Sequence, residues 1–374
     1  MKPMKRLDLL AAYCLLLLVL PSTGARADEL RFEPIRIPVS EPGRSRALEL
    51  EALVVRPDDG IAHPLAVLNH GSPRDAANRS TMSPYRLWPQ AVAFARRGFV
   101  AVVAMRRGYG NSQGEWAEGY GSCSGPDYAT AARAGASDIA AVARYMSGQS
   151  YVSKGKWISV GHSAGAFATV ALTSDPPRDL AAAIAFAPGR GSTVPDAVCG
   201  ERQLVAAFAQ YGETSQVPLL WVAAENDHFF GPRLVPLLSN AFANAGGNLT
   251  FVKTAAFGED GHQLFTTGSG ISIWSPIVDR FLAANNLALR ERLIDLTLPN
   301  VTAPPGLSSN GRETFKTYLE SGPNKAFAVS SDERFGWTTG RRSVEEARQA
   351  ALGYCTSGTS VRCRVVNVNN QPVQ

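Results

Sequence analysis

Two serines in this chain sit between glycines placed two residues away on either side: Ser163 in Gly161-His162-Ser163-Ala164-Gly165, and Ser112 in Gly110-Asn111-Ser112-Gln113-Gly114. A serine hydroxyl is a poor nucleophile until it is lifted clear of its surroundings and given a base; a tight, glycine-flanked turn does the lifting. The pattern alone does not choose between the two. Context does. Ser163 directly follows the apolar run Trp157–Gly161 and opens the helical stretch AGAFATVAL, a strand-to-helix setting that projects a side chain above a sheet. Ser112 is followed by Gly119, Gly121, Gly125 and Pro126, which cannot continue a helix, and Arg106, Arg107 and Gly108-Tyr109-Gly110 divide it from the strand before it.

A nucleophilic serine needs a base, and the base needs a carboxylate to orient it. Asp227 lies 64 residues after Ser163, just past the apolar run Pro218–Ala224, and His262 lies 35 residues after Asp227 in Gly258-Glu259-Asp260-Gly261-His262. Both follow strand-like segments, so both belong at the sheet edge that carries Ser163, where open α/β sheets place their sites. Glu225 and Asp260 are the competing carboxylates; Glu225 falls in the strand's exit turn and Asp260 shares a loop with His262. Among the other histidines, His162 is held beside Ser163 and His228 beside Asp227, and His70 reads as a buttress. Acyl transfer also needs donors for the developing oxyanion. The backbone N–H groups of Ala164 and of Ser72, in Asn69-His70-Gly71-Ser72-Pro73, are the candidates.

Elements must carry these residues. Leu48–Arg56, His63–Asn69, Phe99–Met105, Trp157–Gly161, Leu180–Ala187, Pro218–Ala224 and Leu249–Thr254 read as strands. Leu87–Arg97, Tyr128–Met146, Ala164–Leu172, Pro232–Asn244 and Ile273–Ala284 read as helices between or after them. The alternation predicts a mostly parallel sheet with helices on both faces and an antiparallel pair at one edge.

With these motifs in place, residues 47–285 resemble the α/β-hydrolase superfamily, nearest its dienelactone-hydrolase-like and acyl-peptidase-like branches. GHSAG, NHGSP, ENDHFF and GEDGH carry the resemblance, and Arg106–Ser112 is similar to a loop that those branches place beside the site. The resemblance implies an α/β-hydrolase fold and hydrolysis of an ester or related acyl bond in a small-molecule substrate. Dienelactone hydrolases carry cysteine where Ser163 stands, so their substrate does not carry over. A serine peptidase and a catalytically silent binding protein are the competing expectations. The segment from Gly189 to Gln216 is short for a lid. Tyr109, Trp116 and Tyr120 are either pocket walls or ordinary loop packing.

The remaining features concern compartment and organisation. Lys2, Lys5 and Arg6, an apolar run Leu9–Leu20 and the small-x-small Ala25-Arg26-Ala27 read as a cleaved signal peptide over 1–27, too short in its apolar part to span a bilayer. Without it, 37 basic and 32 acidic residues become 33 and 31, a net charge of +2 that gives no reason to expect nucleic acid as a partner. Four cysteines then remain, and an even count in an exported chain favours Cys123–Cys199 and Cys355–Cys363 as disulfides over buried thiols. No phosphate loop, dinucleotide fingerprint or metal-ligand spacing is present, so neither cofactor nor metal is expected. The expected units are a catalytic domain over 28–286, a Pro/Ser/Asn-rich linker over 287–311 and a small α+β domain over 312–374, with a strand at Ala326–Ser330, a helix at Val344–Leu352 and a strand at Arg362–Val368. Its aromatics Phe327, Phe335 and Trp337 are expected in its core, with a cell-envelope contact as the alternative.

Overall fold

The computed structural model describes residues 29–40, 46–296, 300–358 and 361–373; the expected signal peptide lies outside them. Strand β1 (Leu30–Val39), buried only at Ile37 and Val39, pairs antiparallel with β2 (Leu48–Pro57), which is buried along most of its length. Strand β3 (Leu65–Asn69) is buried at every position; after it come α1 (Trp88–Ala95) and the equally buried β4 (Val100–Ala104). Helix α2 (Tyr128–Met146) begins where the Asp127 carboxylate accepts the Thr130 N–H, an N-cap. Then come β5 (Trp157–His162), α3 (Ala164–Ser174), β6 (Leu180–Phe186) and a small ribbon of β7 (Ser192–Val194) with β8 (Ala197–Val198). Helix α4 (Glu201–Gly212), β9 (Leu219–Ala224), α5 (Gly231–Asn244), β10 (Leu249–Thr254) and α6 (Ile271–Ala284) complete the large unit.

The strands form one eight-stranded sheet in the order β1-β2-β4-β3-β5-β6-β9-β10. From β4 to β10 every pairing is parallel, and β2 runs antiparallel to both of its neighbours. Helices α2, α3, α4 and α5 cover one face through Ile139, Phe167, Phe208 and Leu238; α1 and α6 cover the other through Phe94, Trp274 and Phe281. Burial on both faces is why the central strands read as unbroken apolar runs rather than alternating ones.

Four elements of this unit were not expected: strand β1, the ribbon strands β7 and β8, and helix α4. Strand β1 is masked in the sequence by Pro34 and Pro38, which the sheet tolerates because β1 lies at its edge. Helix α4 lies within the Gly189–Gln216 segment, to which no element was assigned, although Leu204, Phe208 and Tyr211 recur on its buried face.

A separate small antiparallel unit follows. Helix α7 (Ser309–Glu320), β11 (Ala326–Ser330), β12 (Phe335–Thr338), α8 (Val344–Thr356), β13 (Cys363–Val368) and β14 (Gln371–Pro372) build a sheet ordered β12-β11-β13-β14. Helix α7 and strands β12 and β14 were not expected. Phe327 is fully buried against Phe315 and Tyr318, and Phe335 and Trp337 pack half-buried on the same cluster. The segment read as linker is bound to both units: Ile294 is buried and its carbonyl accepts from Arg96 Nε at 2.6 Å, while Leu307 joins the small core. Arg342 in turn donates to the carbonyls of Ser80 and Met82 in the large unit. Both expected disulfides are present, Cys123–Cys199 and Cys355–Cys363. No helix among the described residues is long and apolar enough to cross a membrane.

Candidate active site

Strand β5 ends at His162 and helix α3 begins at Ala164, so Ser163 alone makes the turn between them. It does so at φ 54°, ψ −122°, a region that side-chain-bearing residues enter only when their surroundings force them. The flanking glycines show what forces it. A Cβ on Gly161 would lie 2.5 Å from the Ala166 backbone, and one on Gly165 would lie 2.4 Å from the carbonyl oxygens of Asn69 and His70. Helix α3 is therefore pressed against β5 and against the turn after β3, closer than any side chain allows. The Ser163 carbonyl accepts the Phe167 N–H at 2.9 Å, fixing the first turn of α3.

Ser112 is used otherwise. Its hydroxyl donates to the Met105 carbonyl at 2.5 Å and accepts the Glu51 N–H at 2.9 Å, pinning the loop after β4 to β2.

The loops after β9 and β10 bring Asp227 and His262 together. The Asp227 carboxylate lies 3.1 and 3.2 Å from His262 Nδ1 and accepts the N–H groups of Phe229 and Phe230 at 2.7 and 3.1 Å. Burial alone would raise the Asp227 pKa; the His262 hydrogen bond and charge, with the two backbone donors, outweigh it and hold the carboxyl below its ordinary range. An ionised carboxylate only accepts, so the network places a proton on Nδ1 and leaves Nε2 as the basic nitrogen. The Phe229 ring stacks on the imidazole at 3.8 Å.

The competing groups have other tasks. One Asp260 carboxylate oxygen accepts the N–H groups of both His228 and His262 at 3.0 Å, stitching the acid loop to the histidine loop. Glu225 is exposed, 3.4 Å from Lys253. His162 is pushed down to about 3 by burial and by the charge of His262, and its Nε2 holds the His262 carbonyl at 2.9 Å. His70 is likewise pushed down to about 3, by burial and then by Arg106; its Nε2 accepts the Arg106 N–H and its Nδ1 meets the Gly71 carbonyl at 2.7 Å. Both are neutral supports.

Ser163 opens into a cavity of about 390 Å³ whose wall also carries Ser72 and Ala164. Neither the Ser72 nor the Ala164 backbone N–H donates to another group of the described residues. Ala164 is the first residue of α3, where helix N–H groups lack internal partners and the dipole favours negative charge. The carboxylate–imidazole pair lies just behind this wall, with the His162 and His262 rings 4.7 Å apart. The structure makes the Asp227–His262 link but not a hydrogen bond from Ser163 Oγ to His262; free enzymes often tighten that contact only on binding substrate.

A buried charge network under the cavity has no counterpart in the sequence reading. Glu118 binds Arg106 Nε and, at 2.8 Å, Arg190 Nη1. Arg106 Nη1 donates to the His70 carbonyl at 2.9 Å, and Tyr109 Oη lies 3.0 Å from both Glu118 and Ser72 Oγ. The Trp116 indole N–H donates to Tyr109 at 3.1 Å. Trp116 and Tyr120 thus line the cavity, while Tyr109 supports Ser72 from behind. Among the described residues no group of three or more His, Cys, Asp or Glu is placed to hold a metal.

The Cys123–Cys199 bond ties together the two loops of the cavity rim: Gly119–Gly121 and Gly189–Ser192 line it, and the Cys199 N–H donates to the Gly191 carbonyl at 2.9 Å. Closing a loop with a sequence separation of 76 residues restricts the unfolded chain, so replacing both cysteines by serine is expected to cost about 4 kcal/mol. Thermal unfolding of the double variant beside the parent measures this; equal melting temperatures would deny the bond a role.

The sequence profile of the family described as X-Pro dipeptidyl-peptidase (S15 family) matches residues 47–229, just under half of the chain, including Ser163 and Asp227 and stopping before His262. No curated protein matches the chain by sequence. Among solved structures, an esterase from Pyrococcus furiosus superposes with TM-score 0.50 at 13% identity, covering 68% of this chain and 93% of that one. Esterase 2 of Thermogutta terrifontis, in a form phosphorylated by paraoxon, superposes with TM-score 0.50 at 16% identity, covering 69% and 96%. With its mostly parallel sheet between two helical layers and a strained serine at the β5–α3 turn, the chain has the α/β-hydrolase fold that these esterases share.

Proposed function

We propose that the protein is an exported serine hydrolase that cleaves carboxylic esters through an acyl-enzyme intermediate. The observation that carries this reading is the backbone of Ser163, held at positive φ in front of a paired Asp227 and His262. Oγ of Ser163 attacks the ester carbonyl carbon while His262 Nε2 takes its proton, and Asp227 stabilises the imidazolium. The oxyanion that forms is received by the N–H groups of Ala164 and Ser72. Collapse expels the alcohol, which leaves with the proton from His262. Water then attacks the acyl group with His262 again as base, returning the serine.

A peptidase reading draws on the X-Pro dipeptidyl-peptidase profile. The cavity argues against it: a free N-terminal ammonium needs an anionic partner, and no Asp or Glu stands among the wall residues. Two disulfides support export, since such bonds persist in oxidising compartments. The small C-terminal unit buries Phe327, which supports a core role for its aromatics over an envelope contact.

The test is labelling with a fluorophosphonate probe, followed by comparison of p-nitrophenyl esters with amino-acid anilides. The reading expects one adduct, on Ser163, and ester turnover well above anilide turnover. An unlabelled, folded protein would instead favour a silent binding protein, and preferential anilide cleavage a peptidase.

A further inference from the structure

The wall of the cavity at Ser163 carries three arginines, Arg74, Arg79 and Arg190, and no acidic residue. Arg190 is buried and bound to Glu118, but Glu118 is shared with Arg106, so two cations meet one carboxylate. Arg79 spends only Nε on the protein, donating to the Ala76 carbonyl at 3.2 Å, and lays its guanidinium 3.7 Å over the Trp116 ring. Arg74 donates to Ser192 Oγ at 3.0 Å and to the His228 carbonyl at 2.9 Å, with its guanidinium 3.5 Å over Phe229. Neither Arg74 nor Arg79 has a carboxylate partner among the described residues. Both are nonetheless held in place, by ring stacking and by their own hydrogen bonds, so little side-chain entropy remains to be lost when they bind. A guanidinium so fixed, with N–H donors still open, is matched by the paired oxygens of a carboxylate or phosphate.

We infer that the substrate is an ester bearing a negatively charged oxyacid group, which Arg79 and Arg74 hold while its carbonyl meets Ser163. The inference rests on the serine-hydrolase reading and adds the class of ester to it. Phe229 connects the two, since its ring lies under Arg74 and over the imidazole of His262. The anionic group would thus be bound next to the wall that covers the base.

The experiment compares kcat/KM for three 4-nitrophenyl esters of similar length: the hexanoate, the monoester of adipic acid and the ester of 5-phosphonopentanoic acid. At low salt at least one anionic ester is expected to exceed the hexanoate by about tenfold, the scale of a hydrogen bond to a charged group. The advantage should shrink in 0.5 M NaCl and should narrow in Arg79→Met and Arg74→Met. Whichever anionic ester leads identifies the group as carboxylate or phosphate. A parent enzyme that turns over the hexanoate as well as or better than both anionic esters overturns the inference and leaves the hydrolase reading standing. Failure of all three esters, together with absent fluorophosphonate labelling, removes the hydrolase reading itself. The ratio is read in the parent protein, so the inference stays falsifiable if an arginine variant fails to fold.

Discussion

On the proposed mechanism, Ser163→Ala is expected to lower ester turnover by at least about 10⁴-fold, because the change would remove the atom that forms the acyl-enzyme and leave only binding and oxyanion stabilisation. It should do so without unfolding the protein. Ser163 is held by its backbone: its N–H donates to the Phe186 carbonyl at 2.9 Å and its carbonyl accepts from Phe167, both of which an alanine keeps. The residue is already forced into positive φ by the approach of α3 to the β3 turn, and alanine meets the same strain. Fluorophosphonate labelling should vanish in parallel with activity. Ser112→Ala gives the contrast. It removes two hydrogen bonds that pin the β4 loop to β2, costing about 1–3 kcal/mol, and leaves labelling of the folded protein intact. If Ser112→Ala abolished labelling and Ser163→Ala did not, the site would have to be redrawn around the β4 loop.

How much of this was legible in the sequence depends on the range of the interaction. Ser163 announces itself locally, since the apolar strand, the two glycines and the Ala-rich helix lie within about three turns of chain. Asp227 and His262 are legible because each follows a strand, and the strand order brings those ends to one edge. Asp260 shows where this kind of reading stops. As a carboxylate near the base it competes with Asp227, and only the fold shows it joining the two loops through the N–H groups of His228 and His262. The arginine–glutamate network is further out of reach. Arg106, Glu118 and Arg190 lie in Gly-rich loops whose charges look solvated in sequence, and Arg190 is 72 residues from the carboxylate it binds. Helix α4 is a different case: its buried positions were regularly spaced, but the flanking loop obscured them. Helix α7 follows Pro304, Pro305 and Gly306, and its start at the Ser308 cap lies inside a stretch that composition marks as linker.

That network carries the second large effect. Glu118→Gln keeps the shape of the side chain but leaves Arg106 and Arg190 buried without a counter-charge, which is expected to cost about 3–5 kcal/mol. For a unit of this size the melting temperature should fall by about 10 °C. The pH dependence separates loss of charge from loss of packing. Burial would raise the Glu118 pKa, but the Arg106 and Arg190 charges outweigh it and hold the group at about 2, against an ordinary value of 4.5. A carboxyl depressed on folding contributes stability that is fully present above its unfolded pKa and is lost as pH falls toward its folded one. The parent should therefore lose this increment between about pH 4.5 and 2, and the stability of Glu118→Gln should be flatter across that window. Activity should fall as well, since Glu118 holds Arg106 against the His70 carbonyl and Tyr109 beside Ser72, and the turn that supplies the Ser72 N–H would loosen. Adding Arg106→Met and Arg190→Met to Glu118→Gln should restore part of the stability by removing the stranded cations, but not the activity, because the His70 turn would still lack its arginine. A Glu118→Gln protein that unfolds at the parent's temperature and with the parent's acid profile would show that the two guanidiniums do not depend on Glu118, and the electrostatic account of the Ser72 turn would fall with it.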